Sequence, residues 1–175
     1  MRISVGSDHR GRAMRQQVID LLEELGHEPI DSGTFDDERV DYPDFAMLVA
    51  RQVSTRIADR GILICGTGIG MSIAANKFPG IRAAVVNHHV ASEMSRRHND
   101  INIACFGADL VSQEDLPALL RTFLDTPFDG GRHARRLAKI AVTERDDQRP
   151  DDREPDDREP GDQGKQGKLG SRVPS

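Results

Sequence analysis

Five short strand-like runs, most of them apolar and each followed by a stretch with helical spacing or a helix start, limit the folds open to this chain more than any other feature. The runs are Arg2–Gly6, His27–Asp31, Gly61–Cys65, Ile81–Val86 and Ile101–Phe106. Between the first two, Met14, Val18, Leu21, Leu22 and Leu25 recur at three- and four-residue intervals and stop at Gly26, the pattern of one buried helix face. Pro43 suits the first turn of a second helix with Phe45, Leu48, Val49 and Val53 on its apolar face. Helices are expected over Met71–Lys77, Val90–Arg97, from a Ser112 cap to Leu124, and from near Gly131 to Thr143. Strand and helix thus alternate. That order predicts an α/β protein, a three-layer α/β/α Rossmann-like fold with a five-stranded parallel sheet. Such sheets bind ligands beyond the carboxyl ends of their strands.

The pattern ends near Thr143. Of 175 residues, those from Glu144 onward hold only Leu169 and Val173 as sizeable aliphatics, and Pro150-Asp151-Asp152-Arg153-Glu154 repeats at once as Pro155–Glu159. A segment that buries so little cannot offset its chain entropy. Residues 1–143 are therefore expected to form the domain and 144–175 a disordered charged tail. A net charge of −5 with both signs mixed argues against a nucleic-acid partner. No stretch approaches the ~20 apolar residues of a membrane span. Met1–Gly6 has no signal pattern, and Cys65 and Cys105 lack metal or disulfide spacing. A cytoplasmic protein with no metal and no cofactor is expected.

Chemistry concentrates at the expected strand ends. Gly66-Thr67-Gly68-Ile69-Gly70 joins a buried strand to a helix. Its glycines let the backbone come close to a ligand, and successive N–H groups favour a negative charge, either phosphate or a developing enediolate. The motif is neither GxGxxG nor a P-loop. Cys65 precedes it, where a thiolate could serve as base or nucleophile, or stand as an inert core residue. Asp8-His9 places an acceptor and a donor after the first strand. His98-Asn99 lies between a helix and the fifth strand, where the imidazole could face the cleft and move a proton or belong to a capping cluster. Arg132 and Arg136, four apart after Gly130-Gly131, share a helix face as a phosphate clamp or a solvated basic surface. His88-His89 reads as a surface pair. Together these offer a base, an anion-stabilising loop, a ring-opening acid and a clamp.

Asp8-His9-x-Gly11, Asp41-Tyr42-Pro43, Ile64 through Gly70, Ala74-Ala75-Asn76-Lys77, Ser95-Arg96-x-His98-Asn99-Asp100 and Gly130-Gly131-Arg132-His133 resemble the B-type ribose-5-phosphate isomerases, a family that includes galactose-6-phosphate isomerase subunits. The resemblance covers about residues 1–143. It implies interconversion of D-ribose 5-phosphate and D-ribulose 5-phosphate, a step of the pentose phosphate pathway, in a homodimer or homotetramer with active sites shared between subunits. It implies Cys65 as the base and His98 as the ring-opening acid. Gly66, Thr67, Gly68, Ile69 and Gly70 would hold the enediolate, and Asp8 and Asn99 the sugar hydroxyls. His9, Arg132 and Arg136 would bind phosphate, the arginines from the partner subunit. Met71 stands where members without the cysteine carry Glu. A six-carbon substrate, allose or galactose 6-phosphate, is the alternative within the class. A non-catalytic nucleotide-binding module is the alternative outside it. One position departs. Relatives often carry Arg where this chain has Asp109. A carboxylate there is expected to repel phosphate, so that Asp109→Arg would lower KM.

Overall fold

A computed structural model describes residues 1–35 and 38–146. The expected tail lies outside the described residues, apart from its first three positions. The elements run β1 (Arg2–Ser7), α1 (Arg12–Glu24), β2 (Glu28–Asp31), α2 (Tyr42–Ser54), β3 (Arg60–Cys65), α3 (Ile69–Ala75), β4 (Ala83–Val85), α4 (His89–Asn99), β5 (Ile103–Gly107), α5 (Leu116–Asp125) and α6 (Arg132–Asp146). All five strands are parallel, in the order β2-β1-β3-β5-β4. The chain winds outward from β1 to β2, then returns to lay β3 on the other side of β1. That reversal puts a topological switch point between β1 and β3, where open α/β sheets form their ligand crevice.

Side chains alternate across the sheet. Ile62, Ile64, Ala104 and Phe106 pack on one face with Val18 and Leu22 of α1 and Leu120 and Phe123 of α5. Leu63, Cys65, Ile103 and Cys105 face Val49 and Ala50 of α2 and Met71 of α3. This period of two follows from the pleat. It is why β3 reads as an unbroken apolar run, both faces being covered. Each fully buried large side chain of this kind contributes about 1.5–3 kcal/mol. α6 packs against α4.

The expected elements are present, with shifted ends. On α2 the buried face is Ala46, Val49, Ala50 and Val53, while Leu48 is exposed. Small alanines let α2 lie close to the sheet, so the alanines rather than Leu48 take the inner stripe. α3 begins at Ile69, inside the expected loop. α4 runs on through Asn99, so His98 sits in its last turn rather than after it. α5 begins at Leu116. Ser112 instead accepts from the Asp115 N–H at 3.1 Å, one turn earlier. Among the described residues, no helix is long and apolar enough to cross a membrane.

Candidate active site

The carboxyl ends of β1, β3 and β5 meet at one point. Cys65 ends β3 in register with Gly107 of β5, and Ser7 of β1 is in register with Ile64. The Cys65 thiol is buried, and the Gly68 N–H donates to its sulfur at 3.2 Å. Gly68 has φ +78°, in the left-handed region, which turns its N–H back to the sulfur and starts α3. A Cβ on Gly107 would lie 2.9 Å from Thr67 backbone atoms, so this loop seats on β5 only where the side chain is a hydrogen. Asn87 fixes the contact. Its Oδ1 accepts from the Gly107 N–H at 2.9 Å and its Nδ2 donates to the Thr67 carbonyl at 3.4 Å. Cys105 lies on the same face but fully inside, and burial pushes its thiol well up. It is the inert cysteine of the two.

Asp8 and His9 stand beside this loop. Asp8 is buried, and its Oδ1 accepts from the N–H groups of Arg10 and Gly11 at 2.9 and 3.1 Å. His9 Nδ1 accepts from the Val40 N–H at 3.4 Å, which leaves the ring proton on Nε2, available to an anion. Tyr42 also belongs here: a Cβ on Gly70 would lie 2.8 Å from its hydroxyl oxygen. Asp109 is not the bare carboxylate the sequence suggested. Arg10 Nη2 donates to its Oδ2 at 2.6 Å. The hydrogen bond and charge of Asp109, with smaller contributions from Asp8 and Cys65, raise the Arg10 guanidinium above its ordinary range. Asp109→Arg would break this pair, so the expected fall in KM no longer follows.

His98, Asn99, Arg132 and Arg136 stand elsewhere. A helix covering a parallel sheet runs back against the strands, so the end of α4 lies at the amino edge. The contacts agree. Arg82, just before β4, donates to the carbonyls of Asn99 and Asp100 at 3.1 and 2.9 Å, and the Gly61 N–H donates to Asn102 O at 2.9 Å. From Gly61 to Cys65 the strand advances about 13 Å at ~3.3 Å per residue. His98 therefore stands at the edge opposite the Cys65 cleft of its own chain.

At the amino edge a second cluster forms. The His98 and His133 rings stack with centroids 4.2 Å apart and 3° between planes. Burial first, then the charges of His98, Arg132 and Arg136, lower the His133 imidazole, with Asp129 opposing. The turn carrying His98 is pinned by Asp100, which adopts φ +43° and accepts from Arg96 at 2.8 Å and Arg82 at 2.9 Å. Arg132 and Arg136 are exposed on α6. The sequence offered no ligand cluster, yet His98, Asp129 and His133 bring donor atoms within 4.8 Å of one another. Arg97 Nε donates to both Asp129 oxygens at 3.2 Å, and Arg132 Nε to His133 Nε2 at 3.2 Å, so guanidinium groups already engage two of these three residues.

A sequence model described as Ribose/Galactose Isomerase matches residues 3–140. The chain belongs to this isomerase family. It is 43% identical over 143 residues to the ribose-5-phosphate isomerase B of Escherichia coli strain K12, covering 82% of this chain and 96% of that one. The Clostridium thermocellum ribose-5-phosphate isomerase B structure superposes with a TM-score of 0.82 at 48% identity, covering 83% of this chain and 99% of that one. The Mycoplasma genitalium ribose-5-phosphate isomerase B, solved with bound ribulose-5-phosphate, gives 0.80 at 36% identity, covering 82% and 96%.

Within the family frame, the sequence reading missed Arg10, Asn87, Tyr42 and His133 as parts of the two clusters. Tyr42 and His133 lay inside motifs already singled out. Arg10 and Asn87 carried no local signal, because each acts through a residue distant in sequence.

Proposed function

We propose that this aldose–ketose isomerase interconverts D-ribose 5-phosphate and D-ribulose 5-phosphate, with Cys65 as the base. The observation that carries the reading is the buried thiol at the end of β3 with the Gly68 N–H directed at its sulfur. A thiolate there removes the proton from C2 of the open-chain aldose, and the electron pair moves toward the C1 carbonyl oxygen. The enediolate charge falls on the Gly66–Gly70 loop, whose backbone N–H groups stabilise it as an oxyanion hole does. The thiol then returns the proton to C1 while the O2 proton passes to O1, and the ketose results. Asp8 accepts from sugar hydroxyls, and His9 Nε2 donates to phosphate.

A second copy supplies His98 for ring opening, with Asn99, Arg132 and Arg136. A general acid must reach its proton acceptor directly or through one water. The ~13 Å between the strand edges denies this to His98 of the same chain. Exposed Ile69 and Ile73 on α3, exposed Ile140 and Val142 on α6, and the open edge of β4 favour burial against such a copy. The assembly is a homodimer or a homotetramer of such pairs. Residues 1–143 form the isomerase domain, with α6 continuing to Asp146, and 144–175 form an appended tail. A thiol base works only when reduced, which suits a cytoplasmic location.

The test is a direct assay of ketose formation from ribose 5-phosphate, with allose 6-phosphate and galactose 6-phosphate as comparison substrates. Cys65→Ala is expected to lower kcat by about 10²–10⁴-fold and to leave KM within a few fold. Wild-type kcat in that variant would remove Cys65 from the role.

A further inference from the structure

The loops after β1 and β5 are joined by one ion pair that spans 99 residues of sequence, Arg10 to Asp109. The pair stands over the Gly loop. A Cβ on Gly66 would lie 3.0 Å from Arg10 Nε and 2.9 Å from Asp109 Oδ2. Gly66 follows the reactive thiol, so the guanidinium overhangs the mouth of the crevice. Its side chain remains 56% exposed. Among the described residues Asp109 is the hydrogen-bond partner of its guanidinium.

The local charge explains why a cation is needed there. Asp8 and Asp109 put two carboxylates beside a site that must accept a phosphate ester. Unopposed, they would repel it. Arg10 cancels Asp109 and keeps N–H groups free on a planar fork suited to phosphate. Asp109 in turn holds a long, flexible side chain in one place, lowering the entropy lost when it binds an anion. Its own position is set by backbone, since the Asp109 N–H donates to Gly66 O at 3.0 Å and the Ala108 N–H to Cys65 O at 2.8 Å. His9, the residue before Arg10, offers its free Nε2 proton on the same loop.

We infer that Arg10 is a substrate-binding residue that takes the phosphate of the sugar, and that Asp109 is the positioning residue that holds it there. This rests on the sugar-phosphate isomerase reading above. Arg10 thereby supplies from the β1 loop a positive charge that the β5 loop of this chain does not provide.

The experiment measures ribose 5-phosphate kinetics and competitive inhibition by inorganic phosphate in full-length Arg10→Met, Asp109→Ala and the double variant. Arg10→Met is expected to raise KM about tenfold or more and weaken phosphate inhibition in parallel, with kcat within about threefold. Asp109→Ala should raise both constants less, because the charge remains but is no longer held. In the double variant the two effects should be less than additive, because Arg10→Met alone also leaves Asp109 unpaired. If the wild type is active and Arg10→Met changes neither constant, the pair is only a surface clasp and the inference fails. A fall in kcat with unchanged phosphate inhibition would also overturn it, by assigning Arg10 to the reacting carbons. A wild type without isomerase activity would instead sink the functional reading. Phosphate binding by calorimetry, wild type against Arg10→Met, would then still decide the Arg10 assignment.

Discussion

Mixing two inactive variants tests the shared site more sharply than either variant alone. Cys65→Ala removes the proposed base at the carboxyl edge, and His98→Asn removes the proposed acid at the amino edge, about 13 Å away along the strand. Each alone is expected to lose about 10²–10⁴-fold in turnover. In the proposed two-fold assembly a site would use Cys65 of one copy and His98 of the other. Refolding the two variants together at equal concentration draws the two halves of each site at random. The cysteine half is intact in half of all draws, and so is the histidine half. About one quarter of the sites are then wild type, and activity should rise to about one quarter of the wild-type value. The fraction is the same in a tetramer built of such pairs. The assay is ketose formation before and after mixing, with differently tagged chains to show that mixed assemblies form. If His98 served its own chain, every site in a mixed assembly would carry one lesion. Mixed assemblies with no recovered turnover would therefore refute the argument from strand length.

Three further outcomes follow from particular contacts. Asp100→Ala should destabilise the fold by about 2 kcal/mol, read by chemical denaturation, because Arg96 is buried and loses one charged partner while alanine must hold φ +43°; Asp100→Asn, which tolerates that conformation, should cost less. The lowered His133 pKa means that below the unfolded value of about 6.5 the unfolded chain takes up a proton before the folded one does, so stability falls as pH drops through that window; His133→Asn should lose less stability between pH 7 and about 5.5, and an equal loss would show that the imidazole is not held neutral. Truncation after Asp146, which keeps α6 with Arg132 and Arg136, should leave turnover within a few fold, and an inactive or insoluble product would mean that the charged tail docks on the domain.

The central strands were legible because β3 and β5 are covered on both faces and so read as apolar runs. Strand ends are also fixed points. Once β1 and β3 were recognised, Asp8 and Cys65 had to emerge at the same edge, whatever the strand order. The loops after them were placed at that edge for this reason. Leu48 was misassigned because periodicity ranks side chains by hydrophobicity, whereas close packing of α2 on the sheet selected Ala46 and Ala50 for the inner stripe.

His98 poses a different question. Its neighbourhood, between a helix and a strand, resembles that of Cys65 in sequence, but the two lie at opposite ends of the strands. The direction of a crossover helix settles this without coordinates: the segment after a strand is at the carboxyl edge, and the segment before the next is at the amino edge. Applied to Asn99 and Arg82, that rule places His98 and Asn99 at the edge opposite the thiol, which is the ground for the second copy proposed above. The Arg10–Asp109 pair was beyond such reasoning. It forms only because β3 and β5 are neighbours and β3 lies next to β1, and nothing in hydrophobic spacing orders those three strands. A charge read alone at position 109 looked hostile to phosphate. Its meaning changed sign when the strand order brought Arg10 to it.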